Sequence, residues 1–444
     1  MKEIKGFSKL SKEAKLEWAA NTFFSDPESA VQEYSSYWHP DKSQQKLFDE
    51  FSENTVSNFV MPYGLAPNFL INGKLFCIPM VIEESSVVAA ACKSAKFWLD
   101  KGGFKAEVIS TTKIGQIHFI WNGSTAKLSK FITDVKPVLL KEAAPLTRNM
   151  EARGGGILDI ELVDMTDHDK GYHQLKVHFE TCDSMGANFI NSVLEKFAAT
   201  LKQQVLTYPD LQDEERDIRI IMSILSNYTP ECKVRVSVSC PVEQLAGLEN
   251  ELEAEDIAER FSKAVMIAKA DPHRATTHNK GIFNGIDAVV LATGNDFRAV
   301  EACGHTYAAR SGKYTSLTDM KVEHGIFEYY LEVPMALGTV GGLTNLHPMV
   351  KRSMEMLGNP GAPELMMIAA TAGLANNFGA LRSLVTTGIQ KGHMKMHLLN
   401  ILNSMDATMG EVKRAKEYFK DHVVSYRNVC DFLETIRSNK PELL

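Results

Sequence analysis

Apolar positions recur at helical spacing through the first fifty residues, from Ser8-Lys9-Leu10-Ser11 to Gln44-Gln45-Lys46-Leu47-Phe48, which predicts amphipathic helices over 8–52. A Pro/Gly/Asn-rich segment follows, Met61 to Asn68, and then Asn72-Gly73 between apolar runs, a hairpin signal. After Pro79-Met80-Val81-Ile82, the run Ser86 to Cys92 predicts the start of a buried helix whose small residues admit a neighbouring backbone. Between about 110 and 230 the texture changes. Gln116–Trp121 and Ile157–Val163 read as strands flanking a helix over Ala126–Leu140, and Leu175, Val177 and Phe179 alternate with Lys176, His178 and Glu180 as in a half-buried strand. Phe189, Val193, Leu194, Phe197 and Leu201 then carry a helical stripe. That β-α-β-β-α-β order predicts a small ferredoxin-like domain. A polar, glycine-rich block occupies 271–316, with Ala288–Leu291 reading as an apolar strand inside it. An Ala/Met/Leu-rich helix is expected over about 363–386, and the segment from Gly388, with Lys413, Arg414, Lys416 and Arg427 on its helices, reads as a separate element.

Composition narrows the class. The 444 residues allow roughly three units at about 150 residues each, and 44% hydrophobic with 23% charged residues is ordinary globular usage. With 48 Lys and Arg against 55 Asp and Glu, the net charge of −7 argues against a nucleic-acid coat protein or a polybasic membrane binder. No run approaches the ~20 apolar residues of a membrane span, and no secretory signal is evident. Seven scattered cysteines without a C-x-x-C pair fit reduced thiols in a cytoplasmic protein.

Four places carry candidate chemistry. The block from Asp271 to Asp287, followed by Ala292-Thr293-Gly294-Asn295-Asp296, gathers Arg274, His278, Asn279, Lys280, Asn284 and Asp296; it reads either as a pocket at a strand end or as a solvated loop. Glu83-Glu84 sits between an apolar strand and an apolar helix, so one carboxylate is expected to be partly buried with a raised pKa, the other a helix N-terminal acid. The strand–turn–helix around Asp183 to Asn188 is the natural anion site, with Asp183 or Ser184 capping the helix and Gly186 and Ala187 admitting a phosphate; a capped helix that binds nothing is the plain alternative. No G-x-G-x-x-G occurs, and Glu180 is placed to accept from a ribose hydroxyl. His393 and His397 lie four apart but lack a third ligand, so no metal is assigned and a proton-donating imidazole is preferred.

Taken together, these blocks resemble the 3-hydroxy-3-methylglutaryl-coenzyme A reductases, in their smaller class II form. The resemblance rests on Glu53-Asn54-Thr55-Val56, Pro62-Tyr63-Gly64-Leu65-Ala66, the run Pro79 to Ala91, Asp183-Ser184-Met185-Gly186-Ala187-Asn188, Thr277-His278-Asn279-Lys280-Gly281, Ala292-Thr293-Gly294-Asn295-Asp296 and Gly388-Ile389-Gln390-Lys391-Gly392-His393-Met394, in order over about 53–397. It implies an α+β fold: a discontinuous large mixed α/β substrate domain (1–109 and 231–387), an inserted ferredoxin-like, non-Rossmann dinucleotide-binding domain (110–230) and a helical C-terminal flap (388–444). The implied reaction is the reduction of the thioester to mevalonate and coenzyme A with two NADH or NADPH, or the same site run oxidatively; an inactive homologue acting as a binding protein is the remaining alternative, against which all four catalytic positions count.

Carried over by motif, the catalytic set is Glu84, Lys280, Asp296 and His393, with Asp296 sixteen positions after Lys280. Arg274, Asn284 and Ser86 match positions that hold the hydroxymethylglutaryl part. Glu180, Asp183, Met185, Gly186, Ala187, Asn188 and Asn227 are the cofactor-side candidates. The resemblance implies that Lys280 stabilises the thioester-derived oxyanion, that His393 protonates the leaving thiolate from a mobile flap, that Glu84 supplies a proton to mevaldehyde, and that Asp296 is hydrogen-bonded near both Lys280 and Glu84. Glu180 would repel a 2′-phosphate, favouring NADH. A homodimer, or a higher oligomer, is expected, with Glu84 and Lys280 coming from different subunits. Ser184 stands where relatives often have Ala, and Ser85 where they commonly have Pro.

Overall fold

The computed structural model describes residues 3–248, 252–386 and 398–438. His393 and His397, the proposed proton donor and its neighbour, therefore lie outside the described residues. Within them, the ten strands are β1 (Tyr63–Ile71), β2 (Lys74–Val81), β3 (Lys105–Ser110), β4 (Lys113–Ile120), β5 (Gly156–Asp164), β6 (Tyr172–Glu180), β7 (Arg219–Leu225), β8 (Lys233–Pro241), β9 (Thr318–Glu323) and β10 (Ile326–Pro334). The opening helices are Lys12–Phe23, Pro27–Ser36 and Lys42–Asp49. β1 and β2 form the expected antiparallel hairpin. Its turn residues Asn72 and Gly73 both have positive φ, 49° and 83°, the twist-compatible geometry that selects Asn-Gly.

Two four-stranded antiparallel sheets build the rest, in the orders β3-β8-β10-β9 and β5-β6-β4-β7. Against the second sheet pack Thr125–Glu151 and Ala187–Thr207, burying Leu128, Phe131 and Val135 of one helix and Val193, Leu194 and Phe197 of the other on Ile117, Phe119, Leu175, Val177 and Phe179. The first of these helices runs eleven residues beyond the expected Leu140, through Pro137 and Pro145. Its buried stripe continues through Ala143, Thr147 and Met150, so packing outweighs the donors the prolines lack.

The block at 271–292 departs from the sequence reading. Pro272–Ala292 is one α-helix, and Ala288–Leu291 is its last turn rather than a strand. Asp271 caps it by accepting from the His273 and Arg274 amides, with Pro272 at the first helical position, where its missing donor costs nothing. Gly281 and Gly285 looked like loop punctuation, but they lie on the helix face crossing Ala362–Val385. A Cβ on Gly285 would sit 2.2 Å from the Ala372 carbonyl oxygen, and one on Gly373 would sit 3.1 Å from that of Ile282, so the two backbones touch because both positions are glycine. Ala362–Val385 is buried nearly all round, from Leu365 and Met366 to Phe378 and Leu381. Val87–Leu99 begins at Ser86 as expected and buries Val87, Ala91, Ala95 and Trp98.

Buried apolar residues fall into three clusters. One unites β1, β2, the first four-stranded sheet and the Pro272–Ala292 and Ala362–Val385 helices; a second lies within the β4–β7 unit; a third joins Leu398, Ile401 and Leu402 to the Met409–Tyr418 and Tyr426–Arg437 helices. No helix among the described residues is long and apolar enough to cross a membrane.

Candidate active site

The Pro272–Ala292 helix carries most of the polar block, and its two faces have different tasks. Inward, His278 Nε2 pairs with Thr318 Oγ1 at 2.6 Å, while Asn279 donates to the Thr315 carbonyl and accepts from the Leu317 amide. Burial, reinforced by the Arg274 charge, pushes the His278 pKa down to about 3, so this imidazole is neutral and structural. Asn377 Nδ2 donates to the His278 carbonyl at 2.7 Å, and Tyr329 donates its hydroxyl to Asn377 Oδ1. These bonds fix the helix's rotation about its axis.

Outward, Lys280 Nζ donates to Glu84 Oε2 at 2.6 Å. Glu84 lies in the turn between β2 and Val87–Leu99; it is half-buried, whereas Glu83 is exposed. The turn ends at Ser86, which holds a left-handed φ of 84° and makes no side-chain cap bond. Asn284 lies one helical turn beyond Lys280, half-buried. Both catalytic candidates thus meet within one chain, which corrects the expectation that they come from different subunits: the helix on which Lys280 rides packs directly beside β2.

Arg274 sits near the start of the same helix and lines a cleft of about 420 Å³ with His273, Thr277, His278, Gly281 and Asn377. Burial holds the Arg274 guanidinium below its usual pKa. No carboxylate lies within ion-pair distance of it among the described residues. Asp271 also lines the cleft, but its oxygens accept from the His273 and Arg274 amides, so the half-buried guanidinium itself is left without an ion-pair partner among the described residues, a geometry suited to binding a carboxylate.

Asp296 does something else. It caps Phe297–Ala308, accepting from the Arg298 and Ala299 amides, and pairs with the Arg298 guanidinium at 2.9 Å. It is not bonded to Lys280 or Glu84 among the described residues, contrary to expectation, because its carboxylate is spent on the helix it begins.

On the cofactor side, Gly186 is the N-cap of Ala187–Thr207 with φ 87°, and a Cβ there would fall 2.5 Å from Thr181 Cγ2. The helix has no side-chain cap, so the amides from Ala187 onward are left for an anion, with Asn188 exposed beside them. This fits the phosphates of a dinucleotide. Neither Asp183 nor Ser184 caps that helix: Ser184 Oγ accepts from the Gly186 amide, and Asp183 Oδ1 accepts from the Ala362 amide at 2.7 Å, capping a different helix. Glu180 is also engaged, accepting from Thr111 Oγ1 and, at 2.7 Å, from the Cys182 amide. Met185 and Asn227 line an enclosed cavity of about 10 Å³, together with Lys113, Ser226, Ala299 and Ala336.

Lys113 escaped the sequence reading. It opens β4 yet is buried, its Nζ reaching the Thr111 carbonyl at 3.4 Å. The signal was available in the strand alternation, which turns 113 inward with 115, 117 and 119. The described residues contain no cluster of three or more His, Cys, Asp or Glu placed to hold a metal ion.

The hydroxymethylglutaryl-coenzyme A reductase family model matches residues 21–398. A 3-hydroxy-3-methylglutaryl-coenzyme A reductase of Archaeoglobus fulgidus is 36% identical over 441 residues, 98% of this chain and 95% of that protein. A probable reductase of Borreliella burgdorferi is 32% identical over 372 residues, 83% of this chain and 81% of the relative. Among solved structures, the Streptococcus pneumoniae reductase superposes with a TM-score of 0.72 at 33% identity, covering 98% of this chain and all of the other. The class II enzyme of that organism, bound to NADPH in open conformations, gives 0.70 at 34% identity, covering 87% of this chain and 100% of the other. With the family model over most of the chain and a relative 36% identical across nearly all of it, this chain belongs to the hydroxymethylglutaryl-coenzyme A reductases, a family of NAD(P)-dependent oxidoreductases.

Proposed function

We propose that this chain performs its family's reaction, 3-hydroxy-3-methylglutaryl-coenzyme A to mevalonate and coenzyme A, at the Glu84–Lys280 pair. The observation that carries the reading is Lys280 Nζ at 2.6 Å from Glu84 Oε2, on the helix that also presents Arg274 to an open cleft. Arg274 takes the substrate's free carboxylate in a bidentate grip. Asn284, on the same helix, and Ser86, whose side chain makes no cap bond, orient the polar substrate carbons in this reading. Lys280 then stands as the cation for the negative charge that develops on the thioester oxygen, and Glu84, in contact with it, passes a proton to the reduced carbonyl. NAD(P)H, when bound, supplies the hydrides. The open helix start at Ala187, with Gly186 and Asn188, holds its phosphates, while Met185 and Asn227 face the adjoining cavity. His393 keeps the role the resemblance implies, protonation of the leaving thiolate.

The three buried clusters support division into a large substrate domain (1–109 and 231–387), an inserted ferredoxin-like cofactor domain (110–230) and a C-terminal flap (388–444). Glu180 supports NADH over NADPH through its negative charge beside the turn, although both its oxygens already hold internal bonds; the NADPH-bound relative supports the other choice. Exposed Phe59 and Val60, at 93% and 67%, support self-association into a homodimer, and the reading places the enzyme in the cytoplasm. A partner would contribute groups other than Glu84 and Lys280. Steady-state oxidation of NADH and of NADPH with the coenzyme A thioester tests the reading, and mevalonate with coenzyme A and either oxidised cofactor tests the reverse direction. Failure of every combination removes the reductase proposal.

A further inference from the structure

The turn that follows β6 is fastened to the large unit by bonds that the reaction chemistry leaves unexplained. The Asp183 carbonyl accepts from the Thr339 amide at 2.8 Å and the Val340 amide at 3.3 Å, and Ser184 and Val340 form an isolated parallel bridge. The Asp183 carboxylate meanwhile takes the Ala362 amide, doing for that helix what its own N-cap, Gly361, cannot. Segment 338–340 is in turn held from the opposite side, because Asn295 Oδ1 accepts from the Gly338 amide at 2.8 Å. The Asn295 side chain has a fixed orientation, since its Nδ2 donates to the Thr293 carbonyl at 3.2 Å. Gly338 has room for no side chain: a Cβ would lie 2.7 Å from the Met185 amide nitrogen and 3.3 Å from the Asp183 carbonyl oxygen. Its backbone is in an ordinary region, so space rather than dihedral freedom demands glycine here.

We infer that Asn295 and Gly338 are positioning residues: through the 338–340 strap they set the register of the 183–188 cofactor turn against the large unit, in which the neighbour of Asn295 is the motif acid Asp296. This rests on the reading of 183–188 as the turn that takes the NAD(P)H phosphates. Neither residue touches a reactant. Asn295 acts by clamping Gly338, and Gly338 acts by lying flat on Met185 and Ser184. A strap of this kind controls cofactor affinity and leaves grip on the thioester, which is governed by Arg274 on another helix, unaltered.

The test is a steady-state comparison of the full-length wild type with Asn295→Ala, Gly338→Ala and the double variant, each checked for folding by circular dichroism and thermal melting. The expected result is a KM for NAD(P)H raised about tenfold in each single variant, with the thioester KM within about twofold of wild type and kcat at saturating cofactor largely kept. The double variant should show less than the product of the single effects, because both changes release one strap. An unchanged cofactor KM in folded variants overturns the inference. So does a fall in kcat alone, which would mean that Asn295 acts through Asp296 instead. If Gly338→Ala does not fold, Asn295→Ala, which deletes the Gly338 acceptor together with the local bond to Thr293, decides the matter. A wild type inactive with both cofactors overturns the reductase reading itself, whereas an active wild type with unaffected variants overturns the strap alone.

Discussion

Gly285→Ala pits helix propensity against packing, with a sign that the structure decides. On an exposed helix the change would stabilise by about 1 kcal/mol, because alanine loses less backbone entropy than glycine. Here the new Cβ would lie 2.2 Å from the Ala372 oxygen, 2.6 Å from its carbonyl carbon and 2.8 Å from the Gly373 nitrogen, all of them backbone atoms of Ala362–Val385. No rotamer relieves such a contact. To reach 3.4 Å, the lower edge of ordinary contact, from 2.2 Å the helices must part by roughly 1.2 Å. Overpacking of this kind costs about 3 kcal/mol, the upper part of its usual range, leaving a net loss of about 2 kcal/mol. The same shift moves Lys280 relative to Glu84, and a misplacement near 1 Å costs on the order of 10²-fold in turnover. Gly281→Ala is the internal control, since its Cβ would meet only Asn377 Nδ2, at 3.7 Å, and the propensity gain should survive. Differential scanning calorimetry of the three proteins, with kcat measured alongside, gives the answer. A Gly285→Ala protein as stable and active as wild type would refute the close-crossing argument.

Three further outcomes are expected. Lys280→Ala should lower kcat by about 10²–10³-fold, the usual cost of losing an oxyanion partner, while leaving the melting temperature nearly unchanged because the Glu84 pair is substantially exposed; full activity would remove Lys280 from the site. Arg274→Gln should raise the thioester KM by about 10- to 100-fold through loss of charge-assisted bonds to a carboxylate, and a KM for NAD(P)H that rises instead would reassign the cleft. Asp287 has its pKa pushed up to about 8 by burial and by Glu301 on the neighbouring helix. The folded state thus keeps a proton that the unfolded chain releases near pH 4, and this group's contribution to stability is lost as pH rises through about 8. Asp287→Asn should accordingly stabilise the protein by about 1 kcal/mol or more at pH 9 relative to its effect at pH 5, and an equal shift at both pH values in thermal melts would contradict it.

Much of the architecture was legible because it rests on local signals. Asn72-Gly73 specified a turn geometry that few other pairs adopt, and the alternation at 175–180 together with the stripe at 189–201 specified one sheet and one covering helix. The 271–292 segment was misread because glycine and polar side chains in sequence resemble a loop. What makes it a helix is its Asp271 cap and a partner helix ninety residues away, and only the cap is local. The partners of site residues were harder still. Glu84 and Lys280 could be named from their motifs, yet their meeting within one chain depends on β2 lying beside the Pro272–Ala292 helix, a contact between segments about two hundred residues apart.

The acids of these motifs show why residue type alone leaves a role open. Asp296 and Asp183 each read as a candidate for chemistry, and each, like Asp271 at the head of the polar block, commits its carboxylate to the start of a helix. An aspartate before a helix and an aspartate in an active site look alike in sequence, because both tasks need a short, charged acceptor. Structure separates them by asking which oxygens are already taken. Asp296 has one oxygen on the Arg298 and Ala299 amides and the other on the Arg298 guanidinium, so for it to serve the reacting carbonyl the exposed Arg298 must swing away. Among the described residues Glu84, by contrast, caps nothing, and its partner is a lysine on the helix that also carries Arg274. The acid free of structural duty is therefore the one to which the proposed reaction gives the proton.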